Sequence, residues 1–182
     1  MSNQVFRFKF TDIQNHQDQL KKESGLYFYH IDGSLKYVGI SDDLGFRFYG
    51  GYLKEDSKQH RNSKLMQLID SKPNEIEVIF KTMDKELLKE EETKIIQDYI
   101  PLCNEKENPR YQVRPIQKVI GKVVNETNCE WSFADMRENL FKKWRGQVSF
   151  QRIDEALRDE KNNLGKYCSK KRGQDILMPK KN

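Results

Sequence analysis

Apolar and polar positions alternate with two different periods along the first hundred residues. Residues 5–10 (VFRFKF) switch between apolar and charged at every step, the pattern of a short strand. Residues 11–23 are polar, with weak helical spacing. Residues 25–40, GLYFYHIDGSLKYVGI, form two aromatic-rich runs around Asp32-Gly33. That dipeptide suits the left-handed turn of a tight hairpin. Residues 43–53 read as a short helix stopped by Gly50-Gly51. Residues 62–71 read as a helix that ends before Pro73. Residues 75–81 (EIEVIFK) alternate as a third strand. Residues 84–100 predict a longer helix, opened by Asp84 as N-cap and closed before Pro101.

After Asn104 the pattern changes. Residues 105–115 carry two prolines and read as a connection, and residues 116–124 fit a strand or a helix equally. Ser132 and Asp135 resemble a capping box. The helix they open places Phe133, Met136, Leu140, Phe141 and Trp144 at helical spacing. Gly146 ends it, and Ser149 opens another with Phe150, Ile153 and Leu157. The last sixteen residues read as a basic tail. The fold class is therefore α+β: a small three-stranded antiparallel sheet flanked by helices over residues 1–105, and a mainly helical extension over 106–182.

Composition narrows the class. The chain has 182 residues, 34% of them charged and 36% hydrophobic, with ten Phe and eight Tyr. The aromatic content favours a packed core over disorder. No apolar run is long enough to span a membrane, and the N-terminus lacks the pattern of a signal peptide. Cys103, Cys129 and Cys168 are scattered, so neither a disulfide framework nor a zinc site is indicated. A cytoplasmic protein is expected. Residues 1–104 hold 15 basic and 17 acidic side chains, a net of −2, whereas residues 105–182 hold 18 and 11, a net of +7. A basic half suits a polyanion, although a solvated surface gives the same count.

Several residues carry chemistry in their own right. Gly25-Leu26-Tyr27 opens one hairpin run and Tyr37-Val38-Gly39 closes the other, which by itself reads as aromatic packing. Arg47 follows on a short helix, facing solvent or holding a phosphate. On the 84–100 helix, Leu87, Leu88, Ile95, Ile96 and Tyr99 trace one apolar stripe. Glu92 falls near its centre. A carboxylate there is costly unless it is paired, for example with Arg47, or binds a cation. His16 and His30 read as surface residues.

Taken together, Gly25-Leu26-Tyr27, Tyr37-Val38-Gly39, Arg47, Glu92, Pro101 and Asn104 resemble the GIY-YIG nuclease pattern over about residues 24–105. The tyrosine spacing and the Glu-to-Pro-to-Asn spacing are similar to the catalytic domain of the bacterial excision-repair incision subunit. The stretch from His60 to Met66 is closer to homing and restriction members. The resemblance implies a metal-dependent endonuclease acting on double-stranded DNA. It implies Glu92 as the single protein ligand of Mg²⁺, with Mn²⁺ able to substitute, and Arg47 as phosphate clamp. Tyr27 and Tyr37 would share general-base and orienting work, with Tyr27 favoured. His60 would assist, and Asn104 would position part of the site. Two departures stand out. Ile40 follows the second motif where the repair enzymes carry lysine, and Gly51 sits four residues after Arg47 where several homing and restriction members carry histidine.

Register supplies an internal test. A strict two-residue turn at Asp32-Gly33 sends Tyr27 and Tyr37 to opposite faces of the hairpin. If they share a site, the hairpin must contain an extra residue.

DNA backbone contacts are expected from Lys64, Lys142, Lys143, Arg145, Arg152, Lys170, Lys171 and Arg172. Residues 132–160 fit a helix-turn-helix reader or a helical packing hairpin. With one site per chain, cutting both strands takes a homodimer or sequential nicks. A stand-alone restriction-type or phage nuclease is the reading that fits the length. A structure-specific repair or recombination nuclease and a non-catalytic DNA-binding scaffold are the rivals.

Overall fold

The computed structural model describes residues 4–53, 62–162, 167–171 and 174–179. It divides into two compact units. The first comprises Met1–Ile96 with Pro101–Asn104, and the second Gln97–Ile100 with Glu105–Asn182.

In the first unit β1 (Val5–Lys9) leads through a 3-10 segment (Phe10–His16) and the short helix α1 (Gln17–Leu20) to the hairpin of β2 (Gly25–Ile31) and β3 (Ser34–Ser41). There follow α2 (Leu44–Arg47), a π-helical turn (Phe48–Tyr52), α3 (Ser63–Ser71), β4 (Ile76–Thr82) and α4 (Lys85–Tyr99). The sheet has four strands in the order β1-β4-β2-β3, all antiparallel. It therefore holds one strand more than the three expected. The segment VFRFK does form the strand its alternation suggests, and it extends the sheet along β4. Phe6, Phe8 and Phe10 pack against the core on one face, while Val5, Arg7 and Lys9 stay exposed.

That core is aromatic. Tyr27, Tyr29, Phe48, Tyr52 and Phe80 are all buried and meet with ring centroids 4.8–6.3 Å apart. Tilted and edge-on rings of this kind add roughly 1 kcal/mol per pair to the burial of their area. The opposite face of the hairpin presents Leu26 and Val38, on which Leu88 and Ile96 of α4 pack. Leu87 and Tyr99 do not belong to that stripe. They are 53% and 65% exposed, so the buried face of α4 is narrower than the apolar spacing suggested.

The second unit holds α5 (Val113–Thr127), β5 (Trp131–Ser132), α6 (Phe133–Lys143), α7 (Phe150–Asn162), β6 (Cys168–Lys171) and β7 (Gln174–Leu177). Residues 116–124 are helical, and Pro115 sits in the first turn, where a missing N–H costs nothing. Ser132 caps α6 by accepting from the Asp135 N–H at 3.0 Å, as the capping pattern predicts. The tail reading needs correction. Cys168–Lys171 and Gln174–Leu177 form a hairpin that pairs with β5 in a small sheet of order β5-β7-β6.

α6 and α7 bury Met136, Leu140, Trp144, Ile153, Ala156 and Leu157 in one core with Ile116, Ile120 and Val124 of α5. The Trp144 indole N–H donates to the Gln97 carbonyl at 2.7 Å. Both apolar faces are thus spent on packing, and α7 carries three basic against four acidic residues. No helix among the described residues is long and apolar enough to cross a membrane.

Candidate active site

The hairpin turn places Asp32 at φ 50° and Gly33 at φ 69°, the left-handed pair of a two-residue turn. Ile31 faces Ser34 and His30 faces Leu35, but Tyr29 faces Tyr37. Lys36 is the extra residue. Its carbonyl, turned out of the ladder, accepts from the Cys103 N–H at 2.9 Å. The bulge realigns everything beyond it, so Tyr27, Tyr29, Tyr37 and Gly39 share one face. The irregularity required by the two tyrosines is present, and their rings lie 6.1 Å apart.

Gly39 stands opposite Tyr27 in the ladder. A Cβ there would lie 2.4 Å from Tyr27 Cζ and 2.5 Å from its hydroxyl. The second glycine of the motif is therefore the floor on which the Tyr27 ring rests. Gly25 answers to a different constraint, since a Cβ on it would meet the Lys81 carbonyl oxygen at 2.3 Å.

Arg47 closes α2, which Asp43 opens by accepting from the Phe46 N–H at 2.8 Å. The chain then widens into the π turn, where the Leu53 N–H donates to the Phe48 carbonyl five residues back, at 3.0 Å. A π turn brings the fifth residue, not the fourth, over a given position. Tyr52, five after Arg47, thereby enters the cluster, and its hydroxyl lies 3.1 Å from that of Tyr27. Sequence reasoning missed this residue because it ended the helix at Gly50-Gly51 and looked four positions on, to Gly51. The available signal was an aromatic directly after the glycine pair.

Burial pushes the Tyr27 hydroxyl far above the ordinary tyrosine range, and repulsion from Tyr37 adds to this; the Tyr52 hydrogen bond and the Arg47 charge oppose it. Tyr37 is raised by burial too. Hydrogen bonding with Tyr52 and Tyr27 pulls it back, the Glu92 carboxylate pushes it up, and Arg47 pulls it down. Tyr29 and Tyr52 are raised well above the ordinary range, again by burial first. Arg47 therefore acts electrostatically on both motif tyrosines, and Glu92 on Tyr37. Among the described residues no carboxylate pairs with Arg47.

Glu92 lies on α4 between Leu88 and Ile96, with its side chain 13% exposed. Its partner is Lys89, one turn earlier, at 2.7 Å, not Arg47. Asn104 spans the β3 backbone: its side-chain carbonyl accepts from the Val38 N–H at 2.9 Å and its amide donates to the Val38 carbonyl at 2.8 Å. It acts on the strand that carries Tyr37 and Gly39. Asn62 caps α3 and donates to the Cys103 carbonyl at 2.9 Å, which ties α3 to the same loop. His60 lies outside the described residues.

Residues 24–108 match the family model of the GIY-YIG catalytic domain. The chain carries a GIY-YIG catalytic domain. The matched segment is a little under half the chain and contains every residue of the cluster. No curated protein and no solved structure gave a significant match.

The basic residues outside this domain divide by surroundings. Lys143 is paired with Asp98 at 2.8 Å and Arg152 with Glu155 at 3.3 Å. Lys142 and Arg145 are exposed at the end of α6, and no described carboxylate pairs with them. Lys64 sits in the first turn of α3. Lys170 and Lys171 belong to β6, their side chains outside the description, and Arg172 lies outside the described residues.

Proposed function

We propose that this GIY-YIG domain is a divalent-metal-dependent endonuclease that hydrolyses phosphodiester bonds in double-stranded DNA, of the restriction or phage kind. The observation that carries the reading is the convergence of Tyr27, Tyr37 and Tyr52, with Arg47 and the largely buried carboxylate of Glu92 both acting electrostatically on Tyr37. Phosphodiester hydrolysis needs those functions: a group to take a proton from water, a cation for the phosphoryl oxygens, and stabilisation of the leaving oxygen.

The donor set fits Mg²⁺, with Mn²⁺ as a substitute. No group of three or more His, Cys, Asp or Glu side chains gathers among the described residues, so a protein cage for a metal is not offered. Mg²⁺ does not need one, since it binds through one or two carboxylates and keeps its waters. Glu92 would hold the ion, which would neutralise charge developing on the phosphate and the leaving oxygen.

Arg47 holds the non-bridging oxygens of the scissile phosphate in a planar fork. Once ionised beside Arg47 and the bound cation, its own phenolic proton released to solvent, Tyr37 would take the proton from the attacking water. It is less deeply buried than Tyr27, and the hydroxyls of Tyr52 and Tyr27 stabilise its ionised form. Tyr27, 2% exposed, orients rather than exchanges protons, which moves the base from the tyrosine the sequence favoured. Lys64, Lys142 and Arg145 contribute backbone contacts to DNA, and two copies acting together would cut both strands.

The test is cleavage of supercoiled plasmid and mixed genomic DNA with Mg²⁺, with EDTA, and with Glu92→Ala. Discrete fragments that require both Mg²⁺ and Glu92 support the restriction-type reading. Nicking or smearing with the same dependence moves the enzyme to structure-specific or non-specific cutting. Binding without cleavage of linear, supercoiled or branched DNA leaves a scaffold.

A further inference from the structure

Four aromatic side chains lie on the segment that carries Arg47, and three of them are engaged. Phe48 and Tyr52 are buried among Tyr27, Tyr29 and Phe80, and Tyr49 packs on the same core and donates its hydroxyl to the Ile13 carbonyl. Phe46 is the exception. It is 76% exposed, directly precedes Arg47, and meets no other ring among the described residues.

Its placement is specific. A Cβ added to Gly50, one turn further on, would meet the ring atoms Cε2, Cδ2 and Cζ of Phe46 at 3.3–3.5 Å. The ring therefore lies along the helix surface over a bare glycine, supported on that side and open to solvent on the other. Leu53, the next residue on the same face, is also exposed. A lone exposed apolar residue needs no explanation. An unpaired, backed aromatic ring directly before Arg47, among the described residues, has the form of a stacking platform.

We infer that Phe46 stacks on a nucleotide next to the phosphate held by Arg47, making it a positioning residue for the substrate. The inference rests on the nuclease reading. Consecutive residues on a helix point about 100° apart, so a phosphate on Arg47 leaves the adjoining sugar and base within reach of the neighbouring ring. In a duplex the faces of each base are covered by its neighbours, so the contact requires the base beside the bound phosphate to be unstacked; once it is, stacking tolerates any sequence and adds affinity without specificity. Substitution at an exposed site leaves the fold intact, because the ring contributes little to the core.

Two variants test this in the full chain. Phe46→Ala is expected to raise KM on duplex DNA at least about fivefold, with kcat and the thermal midpoint unchanged. Phe46→Trp is expected to show an emission quench, beyond that of the native tryptophans in the unsubstituted protein, when duplex is added in EDTA. If the unsubstituted protein cleaves DNA while Phe46→Ala keeps its KM and Phe46→Trp shows no added quench, the stacking inference falls and the nuclease stands. If Phe46→Ala is unstable, the Phe46→Trp quench alone decides. Neither cleavage nor DNA binding by the unsubstituted protein overturns both readings.

Discussion

The ammonium of Lys89 lies 2.7 Å from the carboxylate of Glu92, a side chain only 13% exposed on α4. A salt bridge at this position satisfies the half-buried charge, and it also competes with any cation for the same oxygens. Removing Lys89 should therefore favour metal. A partly exposed pair contributes roughly 0.2–1 kcal/mol, so Lys89→Met is expected to lower the Mg²⁺ concentration for half-maximal cleavage by about two- to fivefold. A metal titration of plasmid nicking measures this. An unchanged midpoint argues that the ion is not held by Glu92.

The contact between Tyr52 and Tyr27 carries a second expectation. Tyr52→Phe keeps the ring in the core and deletes a hydroxyl that pulls the Tyr37 pKa down. With Tyr37 as base, the ascending limb of the pH–rate profile shifts to higher pH. The rate at neutral pH should fall by roughly tenfold, about the worth of one hydrogen bond, with KM unchanged. An unchanged kcat with an unmoved limb assigns Tyr52 to packing alone.

How far the site was legible follows from these residues. The bulge at Lys36 was deducible, because a two-residue turn and two tyrosines on one face cannot coexist without an extra residue. Arg47, Glu92 and Asn104 were picked out by the resemblance to the family pattern, since position alone left Arg47 between solvent and phosphate and Glu92 between an ion pair and a cation. Tyr52 was not, because reading a helix at 3.6 residues per turn points to the fourth residue after Arg47, and the π turn substitutes the fifth. The hairpin at 168–177 was hidden for another reason. Ile176 and Leu177 are buried in succession, so no alternation marks the strand, and the charged residues around them read as a tail.

Four core tyrosines make stability sensitive to alkali. Tyr27, Tyr29, Tyr37 and Tyr52 all have folded pKa values above the ordinary tyrosine value of about 10. Because the folded value is the raised one, the stabilisation is fully present below pH ~10 and is lost as the pH rises toward the folded values. Each tyrosine that stays protonated while its unfolded counterpart ionises costs about 1.4 kcal/mol per pH unit. Urea midpoints should be flat from neutral pH to about 9 and fall steeply beyond 10. A midpoint independent of pH up to 11 contradicts the burial of these rings.

Tyr29 offers a sharper check on the same core, since its buried hydroxyl has no hydrogen-bond partner among the described residues. A buried polar group left unpaired costs free energy, so deleting it while keeping the ring is neutral or favourable. Tyr29→Phe is expected to leave cleavage unchanged and to hold or raise the thermal midpoint. A loss above about 1 kcal/mol indicates a partner for that hydroxyl.

Asn104 separates positioning from chemistry. Its amide group closes two hydrogen bonds on Val38, in the place of a neighbouring strand, and so fixes the backbone between Tyr37 and Gly39. Asn104→Asp keeps the size and the acceptor but replaces the donor with an oxygen facing the Val38 carbonyl. Two acceptors then confront each other in a buried site, at a cost of about 1–3 kcal/mol. Asn104→Ala loses both bonds at a similar cost and adds no repulsion. Both variants should therefore lose stability in a urea titration. Their remaining activity should follow the folded fraction if Asn104 acts only through β3. Activity far below that fraction, with the circular dichroism spectrum intact, instead assigns the side chain a direct contact with DNA.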